Sequence, residues 1–209
     1  MTLRSIQSIT FAGALFIAFS FTACVEKQQE SAGTAQEQHE GMNQTGMTAQ
    51  TQVAAPDYAA AGEPIRQQVA QLLSDYLKLK DALIVADPQV AKTQAQAILT
   101  AAGNIDVAAL TAEHQPFATE KLEKVKQSAA EIAGAANVEI QREHLEPLSE
   151  ATFALTKAFD ATDQKLYYQH CPMANNNQGA YWLSSNQAIQ NPYMGEGMLK
   201  CGITAEVFN

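Results

Sequence analysis

The chain has 209 residues and a formal charge of −9, with 13 Lys and Arg against 22 Asp and Glu. Such an acidic balance leaves no basic stripe, and this excludes the electrostatic footprint that nucleic-acid binding requires. It contains three cysteines and four histidines, so any thiol- or imidazole-based metal or redox chemistry rests on few residues.

Chain order starts with an export signal. Arg4 supplies a positive N-terminal region, and Ile9 to Phe19 is apolar apart from Thr10 and Gly13. That run is about half the roughly 20 residues a bilayer-spanning helix needs, so it reads as the apolar core of a signal peptide. It ends in Phe21-Thr22-Ala23-Cys24, which resembles the lipobox of bacterial lipoproteins: apolar, small, small, then the acceptor cysteine. Residues 1–23 are therefore expected to be removed and Cys24 lipidated. Several acyl chains, at about 0.8 kcal/mol per buried methylene, hold a protein at a membrane. The expected location is the cell envelope, facing the periplasm, with the lipid as the membrane contact. Cleavage removes one positive charge, Arg4, and leaves a chain of about −10. In cells fed a labelled fatty acid the protein should take up label, and Cys24→Ala should abolish it. Label persisting in that variant would refute the lipobox.

Residues 24–63 are rich in Gln, Glu, Thr, Ala and Gly and lack hydrophobic periodicity, the composition of a disordered tether. His39, Met42 and Met47 lie in it; soft donors on a floppy segment could catch copper loosely, and equally are ordinary linker residues.

Pro64 opens the folded part, expected to be mainly α: an antiparallel four-helix bundle over residues 64–162, with a short, irregular cap of extended segments over 163–209. Ile65, Val69, Leu72, Leu73, Tyr76, Leu79 and Leu83 recur at three- and four-residue steps, as on one helix face. Asp87-Pro88 is an N-cap followed by proline at the first helical position, and Gly103 ends that second helix. A third starts near Pro116, carries Leu122, Val125, Ala129 and Ile132 on one face, and stops at Gly134. Asn137 caps a fourth that runs to about Ala161, with Pro147 as the place for a kink. Four amphipathic helices with short connections are satisfied by burying their stripes against one another. Beyond Asp163, Leu166–Cys171 and Ala180–Ser184 read as extended pieces, with turns at Asn175–Gly179 and Asn191-Pro192.

Enzyme signatures are missing: the sequence contains no Gly-x-Ser-x-Gly, no phosphate-cradling glycine loop and no Cys-x-x-Cys-His. A di-iron bundle needs Glu-x-x-His on two helices, but Thr111 precedes His114 and Gln141 precedes His144 at that spacing. Both histidines read as solvated or hydrogen-bonded helix residues, and the expected function is binding, with no enzyme activity.

What remains is His170-Cys171-Pro172-Met173 and, at a distance, Met198-Leu199-Lys200-Cys201. In an extended segment Cys171 and Met173 would share a face, and one helical turn would bring Met198 beside Cys201. Two thiolates and two thioethers form a soft set that selects Cu(I) or Ag(I), with His170 and Met194 as reserve ligands. The alternative is a Cys171–Cys201 disulfide, in which the methionines only fill space. It would close a loop of about thirty residues, worth roughly 3 kcal/mol in the chain-entropy model. Spacing alone leaves both open.

Tyr168-x-x-Cys171-Pro172-Met173, the run Asn175–Asn177, Tyr181-Trp182-Leu183, Asn191-Pro192-Tyr193 and Met198-Leu199-x-Cys201-Gly202, with Tyr76 to Leu83 and Leu148 to Phe159 upstream, resemble a family of bacterial envelope domains of unknown function. That family occurs as lipoproteins and fused to periplasmic adaptor subunits of copper and silver efflux pumps. The resemblance spans roughly residues 64–205; Met194 stands where the family commonly shows an aromatic residue. It implies metal handling, with Cys171, Met173, Met198 and Cys201 as ligand positions and an efflux adaptor as partner.

Overall fold

The computed structural model describes residues 53–209. Cys24 and the linker residues His39, Met42 and Met47 lie outside the described residues, as does the whole export segment. The described part is mainly helical, with six α-helices and one three-stranded antiparallel sheet near the C-terminus.

Helix α1 (Glu63–Ile84) carries Pro64 in its first turn, where a missing N–H costs nothing. Its stripe from Ile65 to Leu83 is buried. Helix α2 (Pro88–Asn104) begins as its sequence predicts: the Asp87 carboxylate accepts from the N–H groups of Gln89 and Val90 at 3.1 and 3.0 Å. Ala91, Ala95 and Ala102 on its buried face leave room for close packing against its neighbours. Helix α3 (Gln115–Gly134) buries Leu122, Val125, Ala129 and Ile132.

The expected fourth helix is two helices. Helix α4 (Val138–Glu143) is capped by Asn137, whose side-chain oxygen accepts from Ile140 N at 3.0 Å, and α5 (Leu145–Ala158) follows after a break at His144. Pro147 explains the position of the break. It has no N–H for the carbonyl of Glu143, four residues back, and its ring would strike that carbonyl in a continuous helix. Restarting at Leu145 puts Pro147 in the first turn of α5, where no helical donor is needed. Helix α1 packs on α2, α2 on α3, α3 on α5, and α5 back on α1.

The cap is more regular than its composition suggests. Strand β1 (Leu166–Cys171) is central, flanked by β2 (Ala180–Ser184) and β3 (Ile203–Phe208), all antiparallel. Between β1 and β2 lies α6 (Ala174–Asn177), a single turn interrupted by left-handed Asn175 and Asn176. Both extended segments expected from the sequence are strands; β3 was not expected, although Ile203, Val207 and Phe208 give it β-type composition. Leu166, Tyr168, Trp182 and Leu183 belong to the same buried core as the helical stripes, so sheet and helices share one interior.

A buried chain of hydroxyls joins the two layers. Leu183 N donates to the Tyr76 hydroxyl at 3.0 Å, Tyr76 and Ser149 share a 2.7 Å bond, and Ser149 Oγ donates to Leu145 O at 2.7 Å. Tyr76 thus ties α1 to α5 and β2 with its polar atom satisfied, and burial holds its phenol well above the usual range.

Residues 53–62, assigned by composition to the tether, lie on this fold. Tyr58 N donates to Ala158 O at 2.6 Å, and its ring stacks on His114 with centroids 3.8 Å apart. Val53 N bonds the Glu206 carboxylate at 3.1 Å, while Lys157 Nζ reaches both Glu206 and Val53 O. A single aromatic anchor and one ion pair order this stretch, and neither creates a periodic pattern. His144, expected to be solvated or hydrogen-bonded, meets Glu131 through Nδ1 at 2.8 Å.

Candidate functional site

Cys171 is the last residue of β1, opposite Ala180 of β2, and is 0 % exposed. Cys201 comes from the loop between β2 and β3, directly before Gly202, and is partly exposed. Both are free thiols, and their sulfurs lie 2.7 Å apart. Thirty positions in sequence have been closed into one side-chain contact.

Three features of the loop hold Cys201 there. Asn191 is fully buried and acts as a clamp: Nδ2 donates to Cys201 O at 2.8 Å, its N–H donates to Leu199 O at 2.8 Å, and Oδ1 accepts from Tyr193 N at 2.8 Å. Arg142 holds the next residue, donating through Nε to Pro192 O at 2.7 Å and through Nη2 to Leu83 O at 2.9 Å. Gly202, at φ 144°, passes so close to β1 that a Cβ there would lie 2.8 Å from His170 O and 2.9 Å from the Trp182 ring. The sequence marks Asn191-Pro192 only as a turn. Its clamping role shows no local signal, because both carbonyls it meets arrive from ten or fewer residues downstream by loop closure.

The expected ligands divide into two places. Met198 closes the 3₁₀ turn Glu196–Met198, its carbonyl accepts from Cys201 N at 3.0 Å, and it lines the same surface hollow as Cys201. That pairing follows the expected turn. Met173 does not share a face with Cys171. Strand β1 ends at Cys171, the chain turns at Pro172, and Met173 is already αR, with φ −90° and ψ −11°. Met173 is 46 % exposed and lines a separate groove that also contains Met194. His170 points to the other face of β1, as strand alternation requires, and packs on Tyr181 with ring centroids 4.2 Å apart. Gly179 makes room for it, since a Cβ there would fall 2.5 Å from Nε2, and partial burial lowers the imidazole's pKa.

The thiols influence each other. Hydrogen bonding to Cys171, then burial, then the Cys171 charge push the Cys201 thiol up to about 11. Cys201 therefore carries its proton at neutral pH, and a soft cation must displace it. Among the described residues no group of three or more His, Cys, Asp or Glu side chains gathers as a metal cluster. An ion held between two thiolates at about 2.3 Å from each keeps the sulfurs roughly 3.7 Å or more apart in tetrahedral geometry. The pair would have to open by about 1 Å to admit one, and partly exposed Cys201 is the side that can give. Among the described residues no helix is long and apolar enough to cross a membrane.

No curated protein and no solved structure matches the chain. Residues 72–164, from the middle of α1 through α5 to just before β1, match the family model described as "Protein of unknown function (DUF3347)", a span that stops short of Cys171 and Cys201.

Proposed function

We propose that the protein is a lipid-anchored, periplasm-facing binder of Cu(I) or Ag(I), which buffers the ion or hands it to efflux machinery such as the periplasmic adaptor of a heavy-metal pump. Cys171 and Cys201 hold the ion, and Met198 is the thioether beside them. The observation that carries this reading is the contact between two free thiols, one of them reachable from a surface hollow that also contains a thioether. Thiolate and thioether sulfur favour soft monovalent ions over Zn(II) and harder cations. The acidic surface raises the local concentration of cations. We also read the ring of α1, α2, α3 and α5 as a four-helix bundle that serves as the rigid platform for the cap. The function is binding and transfer of a cargo ion, without an enzymatic step.

A second reading belongs to another class: a metal-free interaction module of an envelope or efflux complex, stapled by a Cys171–Cys201 disulfide. The 2.7 Å approach of the sulfurs favours it, because that spacing is closer than an ion between them allows.

One titration separates the two. Reduced protein should take one Cu(I) from a colorimetric chelator, and its affinity should rise with pH. Cys201 keeps its proton up to a pKa of about 11. Binding as a thiolate releases at least that proton, so affinity climbs by at least about tenfold per pH unit around neutral pH once the chelator's own titration is subtracted. Protein isolated without free thiols, and unable to take copper even after reduction, would establish the stapled module instead.

A further inference from the structure

The groove that receives Met173 is separate from the thiol pair. It has a volume of about 420 Å³ and lies between α4, the turn that carries Met173, and the segment at Tyr193 and Met194. Two thioethers line it. Met173, nearly half exposed, is not buried as core filler would be, so packing alone does not explain an unbranched apolar side chain there. The turn that follows it is left-handed at Asn175, Asn176 and Asn177, at φ 49°, 56° and 66°, and Asn175 Nδ2 donates to the Glu146 carboxylate at 3.2 Å.

Two carboxylates, Glu139 and Glu143, one helical turn apart on α4, also line the groove and make up its α4 wall. Arg142 also borders the groove, but its Nε and Nη2 donors are engaged with Pro192 O and Leu83 O. Two acidic side chains against one guanidinium leave the wall net negative. Neutral thioether sulfur beside an anionic wall suits a soft cation of charge +1: sulfur supplies the selectivity and the carboxylates the attraction.

We propose that Met173 and Met194 form a second soft-cation site for Ag(I) or Cu(I), weaker than the thiol pair and separate from it. This extends the soft-metal reading above to a second place, and its test removes the thiols so that the two readings can fail independently. The full chain carrying Cys171→Ser and Cys201→Ser, with ¹³C-labelled methionine methyl groups, is titrated with silver nitrate and followed by NMR. The Met173 and Met194 methyl signals should move together along one saturation curve, at lower silver than Met198 and the tether methionines. Adding Met173→Leu should weaken the Met194 response about tenfold. If the double serine variant does not fold, the unmodified chain with its thiols oxidised to the disulfide serves in its place. Met173 and Met194 responding on unrelated curves, or a Met194 curve unchanged by Met173→Leu, would overturn the site. Copper lost from the thiol pair while these two methyl groups still respond would overturn only the thiol reading.

Discussion

Cys171→Ser and Cys201→Ser should each abolish chelator-competitive Cu(I) binding by the reduced protein, whereas Met198→Leu should weaken it about tenfold. A structural four-ligand metal site is worth about 10–16 kcal/mol, so an even share is about 3 kcal/mol per strong ligand, or more than a hundredfold in affinity. A thiolate exceeds an even share with a monovalent ion, because it brings a negative charge as well as a soft donor. Serine matches cysteine in shape but supplies a hard hydroxyl that stays protonated. Met198→Leu conserves volume, so its smaller effect reports ligation with little damage to packing. Met173→Leu should leave this site unchanged, since its thioether lines the other groove. His170→Ala should be nearly silent for copper, because strand alternation turns the imidazole away from Cys171. Equal losses in all five variants would mean that binding is spread over the surface and is not held by the thiol pair.

Leu79→Asp should unfold the domain or bring it close to unfolding. Leu79 sits in the middle of α1 with 0 % of its surface exposed. Truncating a buried leucine typically costs about 2–5 kcal/mol, and placing an unpaired carboxylate there adds a desolvation cost of at least a few more. A total of about 5 kcal/mol or more is comparable to the entire stability of a typical domain. For a domain of this size it corresponds to a fall in Tm of at least about 10 °C. Val85→Asp is the matched control, because Val85 closes the same helix at 71 % exposure and should change stability by less than about 0.5 kcal/mol. Thermal melts followed by helical circular dichroism test both variants. A shift below one degree for Leu79→Asp would put that residue outside the core and contradict the stripe that defines α1.

The helices were legible because their signals are local. A step of three or four residues marks the buried face of α1, and Asp87-Pro88 and Asn137 mark helix starts through bonds made within three residues. The division of the last helix was half legible. Pro147 announces a break, but the break falls at the residues whose carbonyls the ring excludes, not at the proline itself. Strand β3 was legible in principle from Ile203, Val207 and Phe208 after Gly202, but a single six-residue run is weak until a partner strand is known.

By itself, the sequence determined the helical faces, two of the three strands, and the positions of the soft sulfur residues along the chain. Tertiary structure alone decided how those sulfurs are grouped. Cys171 meets Cys201 because β3 pairs with β1 and because Asn191 and Gly202 draw the preceding loop against that strand. Met173, only two residues from Cys171, leaves for another groove because the strand ends and the chain turns at Pro172. Periodicity reports which face a residue occupies within its own element. Which elements meet, and at what register, depends on long-range pairing and loop closure, and those contacts are absent from any local pattern of residues.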